Sequence, residues 1–301
     1  MIKKVLFIFL CLGGFIGVER ITHALTDGFT IYRTLSNHPD IALIDYPEMS
    51  ETETKDLKAL LSQDFHYLSC GSQSFVFRSD DNQYVIKFIK HHRFRTSWLL
   101  KHLPLPKGLS QSRHLRIDRK LCALKDTINS FIHSYTDFKD ETGTLYIHPE
   151  HTEDLDLKLT VVDKLKIRHT IDLDKVEFIV QRMAQPASSV FLNFKENNQD
   201  EMAKEAFDEL LTLSERRSIM GFYDKDPNLI KNFGFIGAHA IELDAGGFIR
   251  YDERDPDRFY TKEIHRIRAK ALPWFKKHYP EIAPYVQEQI EALVIEKNID
   301  P

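Results

Sequence analysis

Asp224, Asp226, Asn232 and Asp244 fall within one short stretch, Gly221 to Phe248, GFYDKDPNLIKNFGFIGAHAIELDAGGF. Two of the acids are two residues apart. The amide follows shortly, and the third acid precedes Ala245-Gly246-Gly247. Two carboxylates about 4 Å apart repel by roughly 4 kcal/mol at an effective dielectric near 20. Acids that converge therefore need positive charge, and a hard divalent cation is the natural partner. Mg²⁺ takes one or two carboxylates and leaves room for phosphate oxygens. Asp-Pro and Gly-Gly are also common turn punctuation, so the same residues fit two loops with solvated acids.

Elements on either side must position this set. Gly221 to Phe248 reads as a turn, a hydrophobic strand pair and a second turn. Gln199 to Ser218 reads as an amphipathic helix leading into it, with Met202, Ala206, Phe207, Leu210 and Leu211 as its buried stripe. Arg216-Arg217 at its end can steady phosphate or the acids, although a helix C-terminus favours cations in any protein. Upstream, Phe65 to Lys90 reads as three strands. Tyr67 to Cys70 is followed by the small-residue turn Gly71-Ser72-Gln73-Ser74. Phe75 to Arg78 is followed by the turn Ser79 to Asn82, and Tyr84 to Ile89 completes the set. Lys87 alternates with Ile86 and Phe88 and so faces away from them. Ser112 to Tyr135 is a helix with Leu121, Leu124, Ile128, Phe131 and Tyr135 on one stripe. Leu145 to Ile147, Leu157 to Asp163, Ile167 to Ile171 and Val176 to Val180 read as further strands, and Gln181 to Met183 leads toward a Pro186 loop. Beyond Asp244, Thr261 to Phe275 and Pro284 to Glu296 show helical spacing, with Pro273, Pro280 and Pro284 as breaks.

In this order of features the chain resembles the protein-kinase-like superfamily. Asn232 with Phe233-Gly234-Phe235 resembles the metal-binding asparagine and its strand. Ala240 to Asp244 resembles the strand that carries the second metal ligand. The departures mark a divergent branch. There is no HRD tripeptide, Asp226 lies six rather than five residues before Asn232, and Asp244 is followed by Ala-Gly instead of Phe-Gly. The resemblance implies an α+β, two-lobed fold with a small β-rich N-lobe at 65–183 and a helical C-lobe at 184–301. It implies a Mg²⁺-dependent phosphotransferase, a kinase using ATP. Gly71, Ser72 and Lys87 would hold phosphates. Asp118 would pair with Lys87, because the helix that should supply a glutamate has none. Backbone groups from Gln181 to Met183 would bind the base. Asn232 and Asp244 would hold metal, and Asp226 or Asp224 would accept the acceptor hydroxyl's proton. The missing glutamate and altered motifs leave a second implication open: a catalytically inactive pseudokinase that binds or scaffolds a protein partner. A calcium site built from the same acids is a third.

The N-terminus stands apart. Met1-Ile2-Lys3-Lys4 is basic, and Val5 to Val18 is an uncharged apolar run of 14 residues. A spanning helix needs ~20 such residues, whereas a signal h-region needs ~7–15. This predicts a signal peptide over 1–24, cleaved after Ala24, on an exported chain, periplasmic or secreted. If uncut, the segment is the only membrane anchor. Residues 25–64 form a leader, with a short helix over Glu53 to Gln63. The net charge of −4 gives no global pull toward nucleic acid. After cleavage Cys70 and Cys122 remain, and they are open to pairing or to staying free. His91-His92 and His148/His151 read as surface residues.

Overall fold

In a computed structural model, residues 2–36, 41–97, 106–251 and 256–296 are described. The chain divides into two compact units: Met1–Asp40, Glu48–Leu105 and His148–Val180 form the first, and Ile41–Pro47, Pro106–Ile147 and Gln181–Pro301 the second.

The first unit is β-rich. It begins with helix α1 (Ile2–Thr26), which runs through the expected cleavage point, and with a short α2 (Ile31–Thr34). Among the described residues no helix is long and apolar enough to cross a membrane. Helix α3 (Glu51–Leu60) starts at Ser50, which forms a capping box with Glu53, and it buries Leu57. Strands β1 (Phe65–Cys70), β2 (Ser74–Ser79) and β3 (Tyr84–Ile89) follow as an antiparallel meander, with Cys70 opposite Phe75 and Phe75 opposite Phe88. The turns fall close to where they are expected, at 71–73 and 80–83, with Ser74 and Ser79 taken into β2. A strand at Lys158–Val162 pairs parallel with β1, and one at Arg168–Asp172 pairs antiparallel with that strand at the sheet edge. Phe29 packs edge-on against Phe75 and Phe77, at 5.3 and 5.0 Å between ring centres, so the leader is part of this core. His91 and His148 are buried rather than on the surface. His91 faces Glu177 at 2.7 Å, and His148 bonds Val176 O and Thr152.

The second unit is mainly helical. Helix α4 (Lys107–Thr136) buries Leu124, Ile128, Phe131 and Ile132. It is followed by a single turn, α5 (Lys139–Thr142), and by strand β4 (Thr144–His148). In chain order, the first unit's two strands named above are β5 and β6, and Phe178–Arg182 is β7. After the two-residue β8 (Gln185–Pro186) comes α6 (Ala187–Glu196), a helix the sequence pattern does not announce, then α7 (Asp200–Ile219). On α7 the buried face runs through Ala203, Phe207, Leu210, Leu211 and Ser214 to Arg217. Met202, expected inside, is 49% exposed, because the stripe is rotated one residue toward Ala203. Four short strands follow: β9 (Phe222–Asp224), β10 (Phe233–Ile236), β11 (His239–Glu242) and β12 (Phe248–Arg250). Helices α8 (Pro256–His278) and α9 (Ala283–Glu296) complete the unit. Pro273, expected to break, sits inside α8. The buried Ala271, Leu272 and Phe275 hold that turn in the core around it. Cys70 and Cys122 are both free thiols.

Candidate functional site

The acidic stretch folds as two small antiparallel ladders. β9 pairs with β12, placing Asp224 opposite Phe248, and β10 pairs with β11, with Gly237 turning between them at φ +62°. These ladders bring the ends of the stretch together. Asn232 O accepts from Leu243 N (2.6 Å) and Asp244 N (3.2 Å), so the backbones of Asn232 and Asp244 touch. Asn232 Nδ2 donates to Asp226 O at 2.8 Å. That bond fixes the amide, and its oxygen faces away from the carbonyl.

Asp224 is the buried member, 1% exposed. Its Oδ1 accepts from Asp226 N at 2.9 Å, and its own N donates to Glu263 Oε2 at 3.3 Å. Its Oδ2 is buried with no hydrogen-bond partner among the described residues. Burial raises the carboxyl to about 7. Arg217 opposes the rise, whereas Glu263 and Asp244 add to it. The same interaction shows that Asp244 lies within electrostatic reach of Asp224. Asp226 differs: it is exposed and paired with Lys270 of α8. The structure thus separates the two acids that spacing alone left equivalent.

Beneath Asp224 lies a buried ion cluster. Arg217 pairs with Glu242 and with Glu263, all three nearly inaccessible to solvent, and Ser214 Oγ donates to Glu263 Oε1 at 2.9 Å. Burial drives the Glu242 carboxyl well above its usual range. Arg217, although burial opposes its charge, is held above its ordinary range by Glu242, Glu263 and Asp224. Glu242, Glu263 and Lys270 were not singled out from sequence. The available signal for Glu263 is a glutamate beside the apolar stripe Tyr260, Ile264 and Ile267.

The loop after Asp244 is held by α4. Ser130 Oγ donates to Ala245 O at 2.5 Å and accepts from Phe248 N at 2.6 Å. A side chain at position 247 would collide with Asp224, because the carboxylate Oδ1 occupies the space a Cβ would take. The loop therefore needs Gly247.

The remaining predicted residues lie elsewhere. Gln181 is buried, with Nε2 donating to Thr142 O at 3.0 Å, and Arg182 N donates to Gly143 O at 2.9 Å. A cavity of about 340 Å³ beside this connector is lined by Gly143, Thr144, Arg182, Arg216 and Ile241, and by none of the four site residues. Met183 is half-buried, and Asp118 is exposed on the first half of α4. In the first unit, Lys87 is buried in β3 opposite Val76, and Gly71-Ser72 form the β1–β2 turn, with Gly71 N donating to Ser74 O at 3.0 Å.

A divalent cation fits the donor chemistry here. Asn232 and Asp244 offer hard oxygen atoms, and among the described residues Asp224 Oδ2 is buried without a hydrogen-bond partner. Among the described residues no three His, Cys, Asp or Glu side chains gather to hold a metal unaided. An ion would thus need oxygens from a bound substrate as well, as Mg²⁺ sites commonly do.

No protein-family model and no curated protein matches the chain. Among solved structures it is similar to the bifunctional kinase-methyltransferase WbdD, at 13% identity and a TM-score of 0.36, over 65% of this chain and 34% of that one. It is also similar to Rv3197 from Mycobacterium tuberculosis, solved with erythromycin, at 12% identity and a TM-score of 0.31, over 68% of this chain and 53% of that one. The chain thus spans about a third and about a half of these two proteins. With TM-scores under 0.5, the weight falls on the chain's own element order and site.

Proposed function

We propose that this chain is a kinase-like phosphotransferase that moves a phosphoryl group from ATP to an acceptor hydroxyl with Mg²⁺. The observation that carries the reading is the cluster in which Asn232 is tied to both Asp226 and Asp244 while Asp244 acts electrostatically on the buried Asp224. In phosphoryl transfer the protein mainly positions groups and neutralises charge. Asn232 and Asp244 would hold the cation, which supplies charge neutralisation at the phosphates. Asp224 would take the acceptor proton. Its raised value suits a base working near neutral pH, and Asp226 is already committed to Lys270. Gly71, Ser72 and Lys87 would serve the phosphates, Asp118 would partner Lys87, and Gln181 to Met183 would serve the base. Export through the N-terminal segment belongs to the same proposal, and ATP is then met after delivery into a host cell.

One observation favours a second reading, a kinase-like binding protein without catalysis: α4 carries no glutamate for Lys87. Thermal unfolding of the full chain with ATP and Mg²⁺ separates the two. A ligand at 100 times its dissociation constant stabilises by about 2.7 kcal/mol, or a few degrees in a protein of this size. The expected result is a shift that needs both ligands and is lost in Asp244→Ala and Lys87→Ala. An unmoved transition at saturating nucleotide would leave the binding-protein reading.

A further inference from the structure

The turn that joins β1 to β2 is closed from behind by a lysine. Lys90 follows β3, and its N–H donates to Gln73 O at 2.8 Å. Its side chain runs over the Phe75 ring, with Nζ 4.7 Å from the ring centre, and reaches the last residue of β1. There Nζ lies 2.6 Å from Cys70 Sγ and 2.5 Å from Gly71 O. The strand register brings the two residues to the same end of the meander: Cys70 faces Phe75, Phe75 faces Phe88, and Lys90 lies two residues on. Lys90 is 7% exposed, whereas Cys70 is open to solvent. The amine is thus held in place, and the thiol is accessible to a small oxidant.

The thiol and the amine are close enough to be joined through a single atom: an N–O bond and an O–S bond meeting at a near-tetrahedral angle span a separation of 2.6 Å.

We propose that Cys70 and Lys90 are a redox modification site, joined under peroxide by one bridging oxygen, Sγ–O–Nζ. The thiol enters as Cys-SH and the lysine as its free amine, having released a proton to solvent. Two molecules of hydrogen peroxide are consumed. One oxidises sulfur by two electrons to the sulfenic level. The other oxidises nitrogen by two electrons to the hydroxylamine level. One oxygen stays in the bridge, the S–H and one N–H bond are lost, and three molecules of water leave. The product cross-links the Gly71 turn to the end of β3.

The test is peptide mapping of the full chain after hydrogen peroxide, digested with trypsin without reductant. The expected product joins peptide 59–78 to peptide 88–93, with Lys90 uncut. Its mass is the sum of the two plus one oxygen minus two hydrogens. It is released by dithiothreitol and is absent in Cys70→Ser and in Lys90→Arg. Should either variant fail to fold, the mass and reversal of the wild-type product still decide. A linked pair without the added oxygen, or oxidised Cys70 with Lys90 cleaved normally, overturns the proposal. The readout does not involve nucleotide, so it is independent of the phosphotransferase reading.

Discussion

In the proposed reaction Asp224 would be the base, because its surroundings set it apart from Asp226, two residues away. Burial beside Glu263 and Asp244 outweighs the pull of Arg217 and raises its carboxyl to about 7. Two consequences follow from that one value. As a base it works only when ionised, so turnover should rise with pH until this carboxyl is ionised and then level, and the cation held by its neighbours should move that rise below the value of the free protein. Asp224→Asn should remove that limb and lower kcat by roughly 10²–10⁴-fold, the usual contribution of a positioned base. Stability moves the other way. The native carboxyl keeps its proton up to about 7, while the unfolded one loses it near 3.8. The native state therefore binds more protons across this window, and this group's contribution to stability falls as pH rises through it. Urea unfolding at pH 5 and pH 8 checks the sign: Asp224→Asn should gain relative to wild type at the higher pH. A wild-type pH profile retained in the variant would remove Asp224 from the base role.

The elements that hold this residue were legible to different degrees. The three-strand meander could be read directly, because Gly71 to Ser74 and Ser79 to Asn82 are turn chemistry between β-branched and aromatic runs. The β10–β11 hairpin after Asn232 was legible in the same way. Helix α6 was not, because only its packing against β10 and α7, through Phe191, distinguishes it from a loop after Pro186. Pro273 misleads for a related reason: local chemistry predicts a break, and a buried core overrides it. The partners of Asp224 were hidden by distance along the chain. Arg217 to Glu263 spans 46 residues, and Ser130 to Phe248 spans 118. No periodicity encodes such contacts. Ser130 is the sharpest test of how α4 supports the site. Ser130→Ala leaves Phe248 N and Ala245 O buried without their shared partner, which costs about 1–3 kcal/mol. Denaturant midpoints should show that loss. Ser130→Thr, which keeps the hydroxyl, should lose less. Equal losses for the two would mean that space rather than hydrogen bonding matters at this position.

At the scale of the whole chain, the two units are interleaved. The chain changes unit after Asp40, Pro47, Leu105, Ile147 and Val180, so neither is a contiguous cassette. Ile44 N bonds Asn129 of α4, which ties a piece of the leader to the second unit. Phe29 ties another piece to the first unit, 3% exposed against Phe75, Phe77 and His169. The leader therefore belongs to both cores, and its own end points can be separated by experiment. Residues before Leu25 include Phe15, Val18 and Ile21, all mostly exposed, so removing them should leave the unfolding midpoint unchanged. Phe29→Ala should cost about 3–5 kcal/mol, as a buried phenylalanine does. It should act through the first unit, where its ring contacts lie. Limited proteolysis would show this as faster cutting in the Ser79 to Asn82 turn with the Asp224 region unchanged. Equal acceleration in both regions would mean that interleaved segments make the two units unfold as one.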